Sequence, residues 1–527
     1  METPWYSEVQ KKLLHVFKVE SFRRNQLEAI NATLDGQDVF LLMPTGGGKS
    51  LCFQLPAICE TGRTKGVTVV IGPLISLMDD QVQALREKGI DVEALNKDMP
   101  AEKSREIRQR LRHSSNKPKL LYVTPERIQL DDMNETLGLL YRQGLLARFA
   151  VDEVHCISEW GRDFRDAYKA LDVLRKNFPK VPIMALTGTA TKRVVNDIVT
   201  RLKIEGCLQL RQSFNRRNLN YMVEAKVGRG LAKIVEFINS KHHGKTGIIY
   251  CRSRIDCEQV AGELCDQHRI PAKYFHAGLD RETKTQILQD WQSGACKVVV
   301  ATTAFGMGID KADVRFVIHQ CLPRSLEGYY QETGRAGRDG KPADCVLYYN
   351  YGDAQSLFRL IRNEDTTSAE SKEASEDGLR RVVQFCQNVI DCRREQVLAY
   401  FDEKFDPRDC NEQCDNCRNG GSVQVQDVTE ITKMIVSRMP NDEYRITRNQ
   451  LVDIVRGSQK KDLREKGFDQ LSLFGICKDK GENVERIIDL MLSEQYLATR
   501  SIQCHQAWTK EYLKRLLISC GEAGSFS

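Results

Sequence analysis

Residues 38–50 read DVFLLMPTGGGKS, in which an apolar segment is followed by three glycines, a lysine and a serine. This pattern predicts a strand over 38–43, a loop over 45–48 and a helix from Lys49 onward, the context that a phosphate-binding loop requires. Glycines let backbone N–H groups face phosphate oxygens, the lysine supplies positive charge, and the serine hydroxyl is a ligand for Mg²⁺. A plain flexible turn is the alternative. The predicted nucleotide site comprises Thr45, Gly46, Gly47, Gly48, Lys49 and Ser50.

A pair of carboxylates follows another apolar segment, in the string FAVDE at residues 149–153. If this segment is a strand of the same parallel sheet, Asp152 and Glu153 lie at the carboxyl edge, where open α/β folds bind ligands. There Asp152 is predicted to hold Mg²⁺ through water. Glu153 is predicted to orient or deprotonate the water that attacks the phosphate in phosphoryl transfer. Alone, such a pair is more often a solvated helix start, so the prediction depends on the loop described above.

A third string, QETGRAGR at residues 331–338, places two arginines three residues apart. Helical spacing predicts that Arg335 and Arg338 share one face, with Gln331 one turn earlier. A planar guanidinium can bind phosphate oxygens through two hydrogen bonds and keeps its charge, so Arg338 is predicted to be an arginine finger, with Gln331 and Arg335 in the same catalytic group. Two solvated arginines on an exposed helix are the alternative for this string alone.

Short apolar runs alternate with longer amphipathic stretches from about residue 37 to about residue 350, with one pause near residue 212. The alternation predicts an α/β fold with parallel sheets in two tandem lobes. Residues 364–377 are polar and free of aromatic side chains, which is typical of a solvated helix or a flexible connection. Amphipathic segments after residue 421 predict a small α-rich domain with helices at 427–437, 448–455, 484–493 and near 511–517.

The composition argues against two classes of protein. The chain has 527 residues, of which 41% are hydrophobic and 28% charged, and no apolar run approaches the roughly 20 residues that a membrane span needs. The first residues lack the layout of a secretory signal, so the 18 cysteines are predicted to be thiols or metal ligands, not disulfides. A net charge of +6 is mild for this length and does not by itself indicate nucleic-acid binding.

Four cysteines have the spacing of a metal site. They are Cys392, Cys410, Cys414 and Cys417, separated by 17, 3 and 2 residues. Packing in a hydrophobic core hardly explains the short spacing of the last three cysteines. Four thiolates fill a tetrahedral shell, so the predicted role is structural binding of Zn²⁺. Cys386 is the rival ligand.

These strings belong to a longer ordered series of motifs. The series is FRRNQ (22–26), PTGGGKSL (44–51), GPLISL (72–77), TPER (124–127), DEVH (152–155), LTGTAT (186–191), YCRS (250–253), FHAGL (275–279), ATTAFGMGID (301–310) and QETGRAGRDG (331–340). It resembles the RecQ-type DNA helicases of superfamily two, and within them the Bloom-syndrome-helicase branch, from about residue 15 to the end. The resemblance implies two RecA-like lobes (1–212 and 213–352), a zinc-binding subdomain (353–421) and a winged-helix domain (422–527).

The resemblance also implies roles for individual residues. Arg23 and Gln26 would recognise adenine, for which the donor and acceptor of a glutamine amide are suited. Residues 155–165, HCISEWGRDFR, resemble an aromatic-rich loop that couples DNA binding to ATP hydrolysis. In it Trp160 and Phe164 would stack on bases, and Arg165 belongs to the same DNA-contacting group. Burial of both rings in the core is the alternative.

In the C-terminal domain the charges nearly cancel, so contact with duplex DNA would come from a local cationic set, with protein docking as the alternative. The set is Arg445, Arg448, Arg456, Lys460 and Lys461.

The resulting prediction is an ATP- and Mg²⁺-dependent DNA helicase that moves 3′ to 5′ and opens tailed, forked or branched duplexes in recombination and repair. The expected partners are single-stranded and duplex DNA, with no membrane and no protein partner indicated, in a monomeric form located in the nucleus. An RNA-stimulated ATPase of the same superfamily and an ATP-silent DNA-binding or annealing protein are the alternatives. Whether the chain is a shortened form stays open.

Overall fold

A computed structural model describes residues 3–44, 46–96, 98–158, 166–306, 311–364, 369–420, 427–440, 445–478, 483–494, 496–504 and 508–515. In these ranges the chain forms two parallel sheets flanked by helices, a cysteine-rich helical module and a small C-terminal domain. The predicted α/β class with two tandem lobes is confirmed. A bilayer-spanning helix, which would need a long apolar stretch, is not found among these residues.

The first lobe is built on a seven-stranded sheet. Its strands are β1 (Val39–Leu42), β2 (Val67–Ile71), β3 (Val92–Leu95), β4 (Leu120–Val123), β5 (Leu146–Val151), β6 (Ile183–Thr187) and β7 (Leu208–Arg211). They lie in the order β3-β4-β2-β5-β6-β1-β7, and all neighbours are parallel. The carboxyl ends of β5, β6 and β1 therefore meet at one edge.

Helices cover both faces of this sheet. They are α1 (Tyr6–His15), α2 (Gln26–Asp35), α3 (Leu51–Ala57), α4 (Ile75–Glu87), α5 (Ala101–His113), α6 (Pro125–Ile128), α7 (Asp131–Arg142), α8 (Asp166–Lys169), α9 (Asp172–Asn177) and α10 (Lys192–Leu202), with a 3-10 turn at Val154–Ile157. On one face, Phe149 and Val151 pack in a cluster with residues of α7, α9 and α10. On the other, Val70 and Ala150 pack with residues of α3 and α4. Burial of both faces explains the continuous apolar runs in these strands.

The second lobe has a six-stranded parallel sheet. Its strands are β8 (Leu219–Ala225), β9 (Thr246–Tyr250), β10 (Ala272–Phe275), β11 (Val298–Ala301), β12 (Val314–His319) and β13 (Ala343–Tyr349). Their order is β10-β11-β9-β12-β13-β8. The helices of this lobe are α11 (Leu231–Lys241), α12 (Arg254–Asp266), α13 (Arg281–Ser293) and α14 (Leu326–Thr333). The first strand of the lobe thus pairs with its last strand.

A helical module follows the second sheet. It comprises α15 (Tyr351–Arg362), α16 (Ala369–Gln387), α17 (Arg393–Tyr400), a 3-10 turn at Pro407–Cys410 and α18 (Asp415–Asn419). Residues 369–377 form the first turns of α16. Of the two alternatives predicted for the polar segment 364–377, the helix is therefore confirmed for these residues.

The C-terminal domain contains α19 (Thr429–Arg438), α20 (Arg448–Arg456), α21 (Lys461–Glu465), a 3-10 turn at Phe468–Gln470, α22 (Asn483–Ser493), β14 (Leu497–Cys504) and β15 (Trp508–Arg515). Three of the predicted helices are confirmed, but the one near residues 511–517 is wrong, because 508–515 form a strand antiparallel to β14. Residues such as Glu511 and Leu513 favour a helix locally, and pairing with a neighbouring strand overrides that weak preference.

Candidate functional site

The loop between β1 and α3 has the backbone of a phosphate cradle. Gly46 and Gly48 have φ angles of +81° and +88°, a region that glycine adopts without strain. Lys49 donates from Nζ to the carbonyl oxygen of Met43 at 3.2 Å, so its side chain folds back along the loop. Helix α3 begins at Leu51, two residues later than predicted. The strand, loop and helix therefore follow one another in the predicted order.

Arg23 and Gln26, the predicted adenine-recognition residues, contact the same loop. The amide nitrogen of Gln26 donates to the carbonyl of Gly48 at 3.0 Å, and its amide oxygen accepts from the backbone N–H of Arg23 at 2.7 Å. The guanidinium of Arg23 donates to the carbonyl of Gly46. A Cβ atom on Gly48 would overlap Nε2 of Gln26, which shows how closely the glutamine and the loop pack.

Asp152 and Glu153 lie directly after β5, at the sheet edge that the phosphate loop also reaches. Asp152 is 7% exposed, and its backbone N–H donates to the carbonyl of Ile71 at 2.8 Å. Burial and then the charge of Glu153 raise the pKa of Asp152 to about 6, while the positive charge of Lys49 opposes the rise. Glu153 has a φ of +47°, and such strained backbone is concentrated at functional sites.

A chain of polar contacts leads from Glu153 to the second lobe. Nδ1 of His155 lies 3.4 Å from Oε2 of Glu153 and 2.8 Å from the hydroxyl of Thr187. That hydroxyl donates to the carbonyl of Thr189 at 3.0 Å. The hydroxyl of Thr189 in turn accepts from Nε2 of Gln331 at 2.8 Å. The carboxylate edge of the first lobe and helix α14 of the second lobe are thus linked by a series of polar contacts that passes through the residue Thr189.

The predicted helical face shared by Arg335 and Arg338 is wrong. Helix α14 ends at Thr333, and Gly334 caps it. The arginines lie in the turns that follow, where Gly337 has a φ of +57° and so interrupts the helical path. Gln331 alone of the three predicted side chains is carried by the helix.

The two arginines have different surroundings. Arg338 approaches the phosphate loop, because a Cβ atom on Gly46 would lie 3.7 Å from its Cγ. Arg335 is 6% exposed and donates to the carbonyl of Gly306 in its own lobe. The structure therefore brings Arg338 to the first lobe, whereas the described contact of Arg335 is within the second.

The four predicted zinc ligands come together. The sulfur atoms of Cys392, Cys410, Cys414 and Cys417 all lie within 4.8 Å of one another. Zn–S bonds of about 2.3 Å place tetrahedral sulfurs about 3.8 Å apart, so this group fits a Zn²⁺ ion. Contact between the sulfur atoms of Cys392 and Cys414 lowers the pKa of Cys414 and raises the pKa of Cys392. Cys386 is not part of this group.

Comparison with known protein families gives four consecutive matches. They are to the DEAD/DEAH box helicase family (residues 23–198), the helicase conserved C-terminal domain (229–340), the RecQ zinc-binding domain (351–418) and the RQC domain (422–515). The "ATP-dependent DNA helicase Q1" of Mus musculus is 41% identical over 503 residues, which are 94% of this chain and 74% of that protein. This chain belongs to the RecQ family of DNA helicases. The predicted family is confirmed.

Other RecQ relatives are much longer than this chain. The "ATP-dependent DNA helicase hus2/rqh1" of Schizosaccharomyces pombe is 47% identical over 93% of this chain and 37% of its own length. The "RecQ-like DNA helicase BLM" of Xenopus laevis is 41% identical over 94% of this chain and 38% of its own length. The chain therefore spans little more than a third of these proteins.

The fold of this RecQ chain is shared with more distant helicases. The crystal structure of the DUF1998 helicase MrfA bound to DNA matches 71% of this chain and 57% of its own, with a TM-score of 0.54 and 16% sequence identity. At that identity the likeness shows the fold alone.

Some of the predicted RecQ site residues lie outside the described residues. They are Thr45 of the phosphate loop and Trp160, Phe164 and Arg165 of the aromatic-rich loop. Their predicted roles stay predictions.

The predicted cationic set of the C-terminal RecQ domain is largely paired with acidic residues. Arg448 donates to both carboxylate oxygens of Asp489, at 2.7 and 2.8 Å, and lies over the ring of Tyr351. Its side chain is 14% exposed, so it is a structural residue and not a free DNA contact. Ion pairs also engage Arg456 with Glu485, Lys460 with Asp453 and Lys461 with Glu465. Of the set, Arg445 is exposed and lies shortly before α20.

The motifs did not indicate a contribution from the linker between the lobes. The string FNRRNLN at residues 214–220 showed only as a pause in the α/β pattern. In the structure Arg216 donates to backbone carbonyls in the turn that carries the two arginines.

Proposed function

We propose that this RecQ chain is an ATP-dependent DNA helicase that moves 3′ to 5′ on single strands and opens tailed, forked or branched duplexes in recombination and repair. The observation that carries the proposal is the approach of Arg338, from the second lobe, to Gly46 in the phosphate loop of the first. A nucleotide held by that loop lies within reach of both lobes. Its binding and hydrolysis therefore change the position of one lobe relative to the other.

Each residue has a role in phosphoryl transfer under this proposal. The loop backbone and Lys49 bind the β- and γ-phosphates, and Glu153 orients the attacking water. Arg338 stabilises negative charge on the transferred phosphoryl group. Gln331 of the second lobe donates a hydrogen bond of 2.8 Å to Thr189 of the first lobe and so helps to hold the two lobes together. Arg23 and Gln26 select adenine, and Arg335 belongs to the same catalytic group as Arg338.

Mg²⁺ fits the acidic edge of this site. Asp152 is buried, and burial together with the charge of Glu153 raises its pKa, so a cation beside the carboxylate would stabilise the ionised form. Asp152 and the Ser50 hydroxyl would hold the ion. When bound, Mg²⁺ neutralises charge on the phosphate oxygens. The chain's own contribution is to fix the carboxylate after β5.

The proposed division of labour follows the four segments 1–212, 213–352, 353–421 and 422–527. The first two hydrolyse ATP and grip single-stranded DNA, the third is folded around Zn²⁺, and the fourth contacts duplex DNA. The chain would act in the nucleus, since relatives carry the names of DNA helicases. Its proposed form is a monomer.

Steady-state ATP hydrolysis with single-stranded DNA, with RNA and with neither polymer tests the proposal, beside unwinding of 3′-tailed and 5′-tailed duplexes. We expect stimulation by DNA and unwinding of the 3′-tailed substrate. Lys49→Ala should abolish both, whereas Lys65→Ala, an exposed lysine of the same lobe, should change neither. Stronger stimulation by RNA would instead support an RNA-dependent ATPase. DNA binding or annealing without ATP hydrolysis would overturn the helicase proposal.

A further inference from the structure

The linker between the lobes contacts the turn that carries the arginine finger. Arg216 donates from Nη1 to the carbonyl of Gly334 at 3.1 Å, and from Nη2 to the carbonyls of Ala336 and Gly337 at 2.9 and 3.1 Å. These carbonyls belong to the segment directly before Arg338. One guanidinium thus holds three backbone groups of a four-residue turn, which the fixed fork of arginine allows.

A second linker residue holds the same turn from its other end. The side-chain nitrogen of Asn218 donates to the carbonyls of Gly337 and Lys341, both at 2.8 Å. A Cβ atom on Gly337 would overlap this nitrogen. The linker and the turn are therefore in close contact, and a shift in one must move the other.

The helical module that carries the four zinc-ligand cysteines also contacts the linker. Arg394 is 2% exposed and donates to the backbone carbonyls of Arg216 and Leu219, both at 2.7 Å. The carboxylate of Glu403 accepts from the backbone N–H of Phe214 at 2.7 Å. The backbone of Arg216 is thus fixed by one domain while its side chain fixes part of another.

We propose that Arg216 is a positioning residue for Arg338. It sets the distance between the arginine finger and the phosphate loop by holding the backbone of residues 334–337, and Arg394 sets the place of Arg216. This inference rests on the proposed function, because it requires Arg338 to act in ATP hydrolysis. Misplacement of a catalytic group by about 1 Å can cost about a hundredfold in rate.

The test compares Arg216→Ala with Arg217→Ala in the full chain, with thermal stability and zinc content recorded for each. Arg217 is the exposed neighbour on the same linker and serves as the matched control. We expect Arg216→Ala to lower the DNA-stimulated kcat by about 10- to 100-fold, with the KM for ATP nearly unchanged, and Arg217→Ala to retain the wild-type kcat. Arg216→Lys keeps the positive charge but lacks the planar fork of donors. Its kcat should therefore lie between that of the wild type and that of Arg216→Ala.

A double-mutant cycle separates positioning from general destabilisation. Arg338→Ala alone should lower kcat by about a thousandfold. If Arg216 acts through Arg338, adding Arg216→Ala to that variant should lower kcat by less than about threefold further, since coupled residues are not additive. Full additivity, or equal kcat values for the alanine variants at 216 and 217, would overturn the inference while leaving the helicase proposal intact. A wild-type chain that hydrolyses no ATP would overturn both.

Discussion

Replacing Gly48 by alanine should cost more free energy than backbone strain alone, because it should also displace Gln26 from the nucleotide site. At a φ of +88°, alanine costs about 1–2 kcal/mol relative to glycine. The new Cβ atom would also overlap Nε2 of Gln26, so the glutamine must move and lose its 3.0 Å hydrogen bond to the Gly48 carbonyl. That bond is worth about 0.5–1.5 kcal/mol. We therefore expect a total cost of about 1.5–3.5 kcal/mol.

Gly89 offers a matched control for this substitution. It has a φ of +73°, and nothing lies within 4 Å of a Cβ atom built there. Gly89→Ala should therefore show the strain without the collision. Because about 1 kcal/mol shifts the Tm of a lobe of this size by about 2–4 °C, the Tm of Gly48→Ala should be lower than that of the control by a few degrees.

The decisive measurement is the KM for ATP in the DNA-stimulated reaction. Displacement of Gln26 should raise this KM about fivefold to tenfold in Gly48→Ala, as a loss of about 1–1.4 kcal/mol implies. The KM of Gly89→Ala should stay at the wild-type value. Equal Tm and equal KM for the two variants would refute the assignment of Gln26 to the nucleotide site.

Three further predictions concern the lobes, the metal and the C-terminal domain. Gln331→Ala removes a hydrogen bond between the lobes and should lower the DNA-stimulated kcat about fivefold; an unchanged kcat would contradict the link. Cys417→Ser should lose zinc, measured by metal analysis of the purified chain, whereas Cys386→Ser should retain it. Arg448→Ala leaves the Asp489 carboxylate buried without its partner and should cost about 3–5 kcal/mol, seen as a lower Tm; adding Asp489→Leu should recover part of that loss, and no recovery would argue against a buried pair.

Local chemistry made part of this site predictable. The strand, glycines, lysine and serine of 38–50 stand together in the chain, and so do the carboxylates that end β5. The zinc ligands also follow from spacing, because three of the four lie within eight residues. In each case the chemistry depends on neighbours along the sequence, and the structure brings these groups where the patterns predicted.

Features that depend on distant partners were not predictable in the same way. Helix α14 ends at Thr333, and the chain does not return to a helical path at Gly337, which has a positive φ and packs against Asn218, about 120 residues away. The strand at 508–515 exists because β14 lies beside it. Arg448 resembled a DNA contact in the sequence, but its partner Asp489 is supplied by another helix. Tertiary contacts decide these cases, and no local pattern encodes them.

The pairing of β8 with β13 has a consequence for synthesis of the chain on the ribosome. All seven residues of β8, Leu219–Ala225, pair with Ala343–Tyr349. On the ribosome β8 is therefore synthesised early, and its backbone has no strand to pair with until β13 has left the ribosome. Unpaired strand edges recruit other chains and promote aggregation. A fragment of this lobe that starts after Leu219 or stops before Tyr349 would expose a broken edge, so stable fragments must contain both strands.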